Sequence, residues 1–372
     1  MIQKNIKNQL ERIDVEELLG KKNIKETKEL SESIDRKVIL ITGGAGSIGS
    51  AIVRKVITYN PKKVIGVDFY ENGIFELERE IREKEIKEKS KLYICDVKNI
   101  CLLNEIFKEN KPNIVIHAAA YKNIPIMEYN KAETISNNVL GTYNLIKMCE
   151  KYKVEKFLLI STDKAVNPTS IVGASKRICE MLVKAMKKSE NTKYIAVRLG
   201  NVIETNGSLI KIIKEQIKEG KEITITDKKM NRYFISKEEA INLMLLSLNI
   251  AKNGEIYLLD MGEPVNIYNF IVKYLNRIGI ERKSIKIIGK RPGEKLNEQL
   301  CYDTEKMEKT KYEKIYSINE EQKKNENEII ELIEKCKEII EKDYSRINEV
   351  YNIVKILVPT YLEEKIDTCN WS

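Results

Sequence analysis

The sequence predicts an α/β protein built on a doubly wound parallel sheet, with a smaller C-terminal part and a helical tail. Three observations carry this expectation. From residue 37 to about 200, short aliphatic runs alternate with longer charged segments of helical period. A glycine-rich turn follows the first of these runs, and beyond Arg198 the alternation breaks into polar turns and a proline-glycine segment at 291–293.

Taken in order, the expected strands are 38–41, 64–67, 92–95, 114–117, 156–161 and 194–198, each with the length and β-branched character of a strand covered on both faces. Between them the charged segments 48–59, 73–88, 100–110, 132–152 and 174–188 have the spacing of helices. From residue 319 the chain becomes rich in Glu and Lys. Apolar residues at Ile329, Leu332, Ile333, Cys336, Ile339 and Ile340 mark an amphipathic helix suited to packing on the body or on a partner subunit.

The composition of the 372 residues excludes several kinds of chemistry. The chain has 42% hydrophobic and 33% charged residues, which suits a buried core, and no apolar run approaches the ~20 residues of a membrane-spanning helix. No signal core opens the sequence, so the expected compartment is the cytoplasm. Seven scattered cysteines without a CxxC pair disfavour both a disulfide framework and a thiolate zinc site, and no metal is expected. The single histidine, His117, leaves little room for imidazole-based hydrolysis; in an apolar strand it reads as an orienting residue. The net charge of +9 is spread over lysines that alternate with glutamates, the pattern of a solvated surface and not of a nucleic-acid face.

After the first strand, Gly43, Gly46 and Gly49 are spaced to make a tight turn, to let a pyrophosphate approach the backbone and to let the next helix pack on the sheet. Asp68 ends the second strand 19 residues after Gly49, where a carboxylate can accept ribose hydroxyls. Asp96 follows the third strand and either faces an adenine ring or caps a helix. A nicotinamide dinucleotide is the expected cofactor, NAD or NADP, with Asp68 favouring NAD because it would repel a 2′-phosphate.

Residues 160–180 place Ser161, Thr162, Asp163 and Lys164 at a strand end and Lys176 about one turn into the following helix. Here the sequence resembles the extended short-chain dehydrogenase/reductases of Rossmann fold that act on nucleotide sugars, and among them the CapD-like branch of UDP-N-acetylglucosamine 4,6-dehydratases. The matching blocks are TGGAGSIGS (42–50), HAAAYKNIPIMEYN (117–130), NNVLGT (137–142), STDKAVNPT (161–169), GASKR (173–177), VRLGNV (197–202), NRYF (231–234) and RPGEKL (291–296). Residues 13–20 and 358–361 are similar to the segments that flank the catalytic part of the large membrane-bound members.

The resemblance implies a lead-in at 1–36, a body at 37–318 and a helical tail at 319–372. In the body, the cofactor part is mainly 37–202 and 233–261 and the substrate part mainly 203–232 and 262–318. Gly43, Gly46, Ser47, Ile48, Gly49, Asp68, Asp96, Val97, Ala118, Ala119 and Lys176 would hold the cofactor. Tyr121, Lys122, Asn201, Arg232, Arg291 and Glu294 would hold the substrate, with the arginines suited to a diphosphate. The catalytic set is Thr162, Asp163, Lys164 and Lys176. One departure stands out: the tyrosine of the usual Tyr-x-x-x-Lys is Val172 here, and Tyr121, which lies where family members contact cofactor or substrate, is a candidate for replacing part of its role.

The implied reaction removes water from a UDP-N-acetylhexosamine, giving a 4-keto-6-deoxy sugar nucleotide for surface polysaccharide, with the NAD(P) recycled internally. Asp163 is expected to be the acid for the C6 hydroxyl, Lys164 the C5 base and Thr162 a partner for the C4 oxygen. Lys164 must then be neutral, through burial or a nearby cation such as Lys176. The alternatives are dehydration with C5 epimerisation, a UDP-sugar 4-epimerase, and a non-catalytic dinucleotide-binding module. A UDP-sugar and a second copy of the chain are the expected partners, with no nucleic acid and no membrane insertion.

Overall fold

The computed structural model describes residues 15–20, 28–83, 89–205, 207–279, 285–320 and 324–363. Each aliphatic run expected as a strand forms one. β1 (Val38–Thr42), β2 (Lys63–Asp68), β3 (Ser90–Ile94), β4 (Ile114–His117), β5 (Lys156–Thr162) and β6 (Lys193–Leu199) pair in parallel in the spatial order 3-2-1-4-5-6. β7 (Glu255–Leu259) continues the parallel sheet beside β6. β8 (Lys306–Lys309) and β9 (Ile315–Asn319) finish that edge in antiparallel pairing. The end of segment 262–318, expected mainly on the substrate side, therefore belongs to the main sheet, where Ile315 and Ile318 are buried.

Helices cover both faces, which is why the strands read as unbroken apolar runs. Leu40 points into a core shared with α3 (Ile100–Asn110), α4 (Gly141–Tyr152) and α5 (Ile171–Ala185). Ile39 and Ile41 point into the opposite core, against α1 (Ser47–Val56), α2 (Glu71–Glu83) and α7 (Lys237–Asn249). A third cluster joins α6 (Leu209–Lys218) to α8 (Ile267–Arg277) through Ile210, Ile213, Phe270 and Tyr274.

Two helical boundaries depart from the expectation for physical reasons. α5 starts three residues earlier than expected because the Ser170 hydroxyl accepts from the Gly173 N–H at 3.1 Å, an N-cap. The expected helix 132–152 is broken into a short helix, Lys131–Thr134, a π turn, Ile135–Leu140, and α4. Inside the π turn Asn138 accepts from the Tyr121 N–H (2.8 Å) and donates to Ser175 of α5 (2.9 Å), so the irregular turn ties the loop after β4 to α5.

The tail forms α9 (Glu326–Lys342) and α10 (Ile347–Leu357). Ile329, Ile333, Cys336 and Ile339 are buried in the α5-side core, so the amphipathic face packs on the body. Residues 1–14 and 21–27 of the lead-in, 84–88 of the helix expected at 73–88, and 364–372 of the tail lie outside the described residues. Among the described residues no helix is long and apolar enough to cross a membrane.

Beneath the carboxyl ends of β5 and β6 lies a buried ionic pin. Arg198 is fully buried and donates to both oxygens of Glu180 (3.0 and 2.8 Å), both oxygens of Glu305 (2.7 and 3.0 Å) and the Leu300 carbonyl (2.9 Å). Ser161, one residue before the end of β5, donates to Glu180 at 2.7 Å. Burial alone would raise the Glu180 carboxyl, but Arg198 and then Arg177 outweigh it and hold the group at about 2. Changing Arg198 to Met leaves two buried carboxylates short of their partner. We expect a loss of about 3–5 kcal/mol, read from the urea midpoint, and recovery of most of it when Glu180 and Glu305 are also made apolar.

Candidate active site

The loop after β1 is shaped by two glycines that tolerate no side chain. Gly43 has φ +66°, and a Cβ there would stand 2.7 Å from the Ala119 nitrogen. At Gly49 a Cβ would stand 1.9 Å from the Gly43 oxygen. The chain can therefore fold back on itself and present Gly46, Ser47 and Ile48 at the start of α1, where a helix amino terminus suits an anion. Asp68 at the end of β2 is locked against this loop, accepting from the Ala45 N–H (2.9 Å) and the Tyr70 N–H (3.0 Å). Asp96 accepts from the Lys98 N–H at 2.8 Å. The cap of α3 is Asn99, which bonds the Leu102 N–H at 3.0 Å, so Asp96 is not the helix cap. Val97, Ala118 and Ala119 follow β3 and β4 along the same crevice, on either side of the point where the strand order reverses between β1 and β4. This crevice fits a dinucleotide.

His117 closes β4 inside the core. Thr142 donates to the Asn138 carbonyl, so its oxygen is left to accept from His117 Nε2–H at 2.9 Å, while Thr42 donates to Nδ1 at 2.7 Å. Burial, with the Lys176 charge, pushes the imidazole down to about 3. The ring is a neutral strut between β1, β4 and the π turn and takes no part in proton transfer near neutrality. Tyr121 sends its hydroxyl to Glu133 (3.4 Å), and its ring meets Phe69 edge to face. Burial, then Glu133, raises its pKa. Val172, one turn before Lys176, is buried among apolar side chains. Lys176 is itself buried on α5, and burial pulls its ammonium downward.

The reactive groups gather where β5 ends. Thr162 donates to Asp163 Oδ1 at 2.9 Å, and Lys164 Nζ donates to the same oxygen at 2.9 Å. Asp163 is fully buried, and its Oδ2 accepts no hydrogen bond. Burial alone would lower Lys164, but Asp163 and then Glu298 outweigh it, and the net shift is upward against the opposition of Arg232. This corrects the sequence expectation of a neutral lysine: the ammonium is held charged, and the cation that opposes it is Arg232 and not Lys176. Lys122 lies close enough to Lys164 that burial and the Lys164 charge both lower its own pKa.

The segment 291–302 packs over this tip. Arg232 donates to the carbonyls of Asn231, Leu296 and Lys295 (2.7, 3.1 and 2.7 Å), so it pins the segment. Arg291 and Glu294 pair with each other at 2.6 Å, and Asn201 accepts from Lys164 Nζ at 3.5 Å. The loop beyond Asp163 and Lys164 is fastened from the same side. Thr169 donates to the Gly293 carbonyl (3.0 Å), Tyr302 to Ala165 (2.9 Å), and the Leu362 N–H of the tail to Pro168 (3.1 Å).

Residues 39–320 match the family described as polysaccharide biosynthesis protein. The chain belongs to that family. It is 40% identical over 322 residues to the capsular polysaccharide biosynthesis protein CapD of Staphylococcus aureus, covering 83% of this chain and 52% of CapD. It is 35% identical to a UDP-glucose 4-epimerase of Rickettsia rickettsii, over 72% of this chain and 79% of that protein. The chain thus spans about half the length of CapD. Among solved structures, Pen from Bacillus thuringiensis superposes with a TM-score of 0.71 at 30% identity, covering 81% of this chain and 99% of Pen. The dTDP-glucose 4,6-dehydratase DesIV from Streptomyces venezuelae, with NAD bound, superposes with a TM-score of 0.65 at 20% identity, covering 71% and 88%. The fold is the Rossmann type of the extended short-chain dehydrogenase/reductases.

Against the family blocks quoted above, sequence reasoning missed Lys295 and Glu298. Both lie at or past the end of RPGEKL in a background rich in Lys and Glu, and only the fold brings them to the tip of β5.

The buried imidazole has a consequence for stability. Unfolded, His117 takes a proton below about pH 6.5; folded, it resists until about 3. Stability should therefore fall with pH across that window, by about 1.4 kcal/mol per unit from this residue. Urea midpoints measured from pH 7 to 5 should show a shallower fall in His117→Asn, which keeps a polar group near Thr42 and removes the titrating imidazole. An equal fall would place the imidazole in contact with solvent.

Proposed function

We propose that the chain catalyses 4,6-dehydration of a UDP-N-acetylhexosamine, with UDP-N-acetylglucosamine the first candidate, making a 4-keto-6-deoxy sugar nucleotide for surface polysaccharide. The observation that carries the reading is the 2.9 Å contact between the buried Asp163 and the half-buried Lys164 at the carboxyl end of β5, in a sheet whose first turn suits a dinucleotide. Asp68, fixed beside that turn, favours NAD. A bound nicotinamide supplies the redox chemistry, taking hydride from the sugar C4 and giving it back at C6.

The chain's own residues handle the protons. Thr162 donates a hydrogen bond to Asp163 at 2.9 Å, which leaves the lone pairs of its oxygen to accept from the sugar O4 hydroxyl. The Asp163–Lys164 ion pair and its proton-shifted form, carboxylic acid beside neutral amine, carry the same net charge. They differ by one proton moved across the 2.9 Å contact from Nζ to Oδ1. Direct contact therefore supplies an acid and a base without taking any charge from water into the site. In the shifted form Asp163 protonates the departing C6 hydroxyl and Lys164 takes the C5 proton, which returns the pair to its resting charges. The same ammonium reprotonates C5, and the pair regains a proton from solvent, matching the O4 proton that passed to solvent when hydride left C4.

A simple 4-epimerase returns hydride to C4 and has no leaving group to protonate, so it needs no buried acid beside a base. Asp163 favours dehydration over that reading, and the paired cluster argues against a non-catalytic module. Incubation with NAD and UDP-N-acetylglucosamine, followed by proton NMR, should give a C6 methyl doublet. An equatorial H4 signal in its place would mean epimerisation, and unchanged substrate a silent module. Asp163→Asn and Lys164→Ala should each lower turnover about 100- to 10,000-fold with NAD affinity kept; wild-type turnover in either would remove that residue from its role.

A further inference from the structure

Beneath Lys164 lies a second carboxylate with no assigned role. Glu298 is nearly as buried as Asp163, its side chain 2% exposed. Its Oε1 stands 3.7 Å from Lys164 Nζ and 3.8 Å from Arg232 Nε, and its Oε2 stands 3.8 Å from Lys295 Nζ. Oε2 accepts no hydrogen bond. Such a group is costly to bury unless its charge is answered by neighbours. Here three cations answer it at ion-pair range, and the Lys164 ammonium is gripped from two sides, by Asp163 at 2.9 Å and by Glu298.

We propose that Glu298 is a positioning residue of the active site that holds Lys164 between two carboxylates and so sets the pH at which its ammonium is lost. The inference rests on the reading of Lys164 as the C5 base, for which it supplies a tuning element. The charged and titratable groups around Lys164 are few. From its own segment comes Asp163; from the 291–302 segment, Glu298 and Lys295; from the strand Asn231–Arg232, Arg232; from the loop after β4, Lys122. Tyr233 faces Asp163 more remotely. Without Glu298 the four cations would share the one carboxylate of Asp163, and their mutual repulsion would lower the pH at which Lys164 gives up its proton. With Glu298 in place, the resting ammonium is secure, and Lys164 is a stronger base once it has handed its proton to Asp163.

The test reads the amine directly. Competitive acetylation of the full chain across pH 7 to 12, with the Lys164 peptide followed by mass spectrometry, gives the midpoint at which Nζ becomes reactive. In the wild type this midpoint should lie above that of an ordinary lysine. In Glu298→Gln it should fall by about one to three pH units, and the basic limb of the turnover profile should move down by the same amount. Glu298→Asp, which keeps the charge, should stay near the wild type. A wild-type midpoint at or below that of an ordinary lysine overturns the proposal even if Glu298→Gln does not fold. A folded Glu298→Gln with an unchanged midpoint overturns it too, whatever its turnover. Failure of the wild type to act on UDP-N-acetylglucosamine would remove the dehydratase reading and leave the measured midpoint standing.

Discussion

A guanidinium that is fully buried must have its donors met by charge and geometry together, and Arg198 meets this demand with two carboxylates and a carbonyl. The partners come from α5 and from residues 300–305, and Ser161 of β5 joins through Glu180. That one requirement fixes four pieces of chain to each other next to the tip of β5. Once they are fixed, the loop from Asp163 to Ser170 has little freedom, because residues 291–302 and the end of the tail hold it from above. The tail is thus tied to the loop after β5 through Leu362.

On this scaffold the tip of β5 concentrates charge where water is scarce. A lone buried carboxylate or ammonium would shift its pKa until it became neutral. The cluster avoids that outcome by matching Asp163 and Glu298 against Lys164, Arg232 and Lys295. The same low dielectric that makes the pairing necessary makes a short proton shift within it useful, since no net charge moves. Histidine chemistry is absent for a reason that the sequence hints at and the geometry explains: the one imidazole is spent as a strut between threonines.

The parallel strands were readable because helices cover both faces, so each strand is a nearly continuous apolar run. The glycine turn and Asp68 were readable because their spacing follows from the backbone geometry of a pyrophosphate cradle. β8 was not, since all four of its residues are exposed and its sequence, KMEK, has no strand period. The π turn was hidden inside a segment whose spacing suits an ordinary helix. Asp163 and Lys164 stood out as neighbours at a strand end, whereas Glu298 is 134 positions from Lys164 and its partner is chosen only when the sheet and the covering segment meet. The direction of the Lys164 shift failed in the sequence reading for the same cause: burial was foreseeable, but the second carboxylate was not.

The central claim is that protons at C5 pass through the Asp163–Lys164 pair while the third methyl hydrogen never leaves the sugar and cofactor. Turnover of UDP-N-acetylglucosamine in heavy water, with the product analysed by NMR and mass spectrometry, tests this most directly. One deuteron at C5 and a methyl group free of deuterium is the predicted result. Deuterium in the methyl group, or a product that keeps its original C5 hydrogen throughout with C6 unchanged, would contradict it.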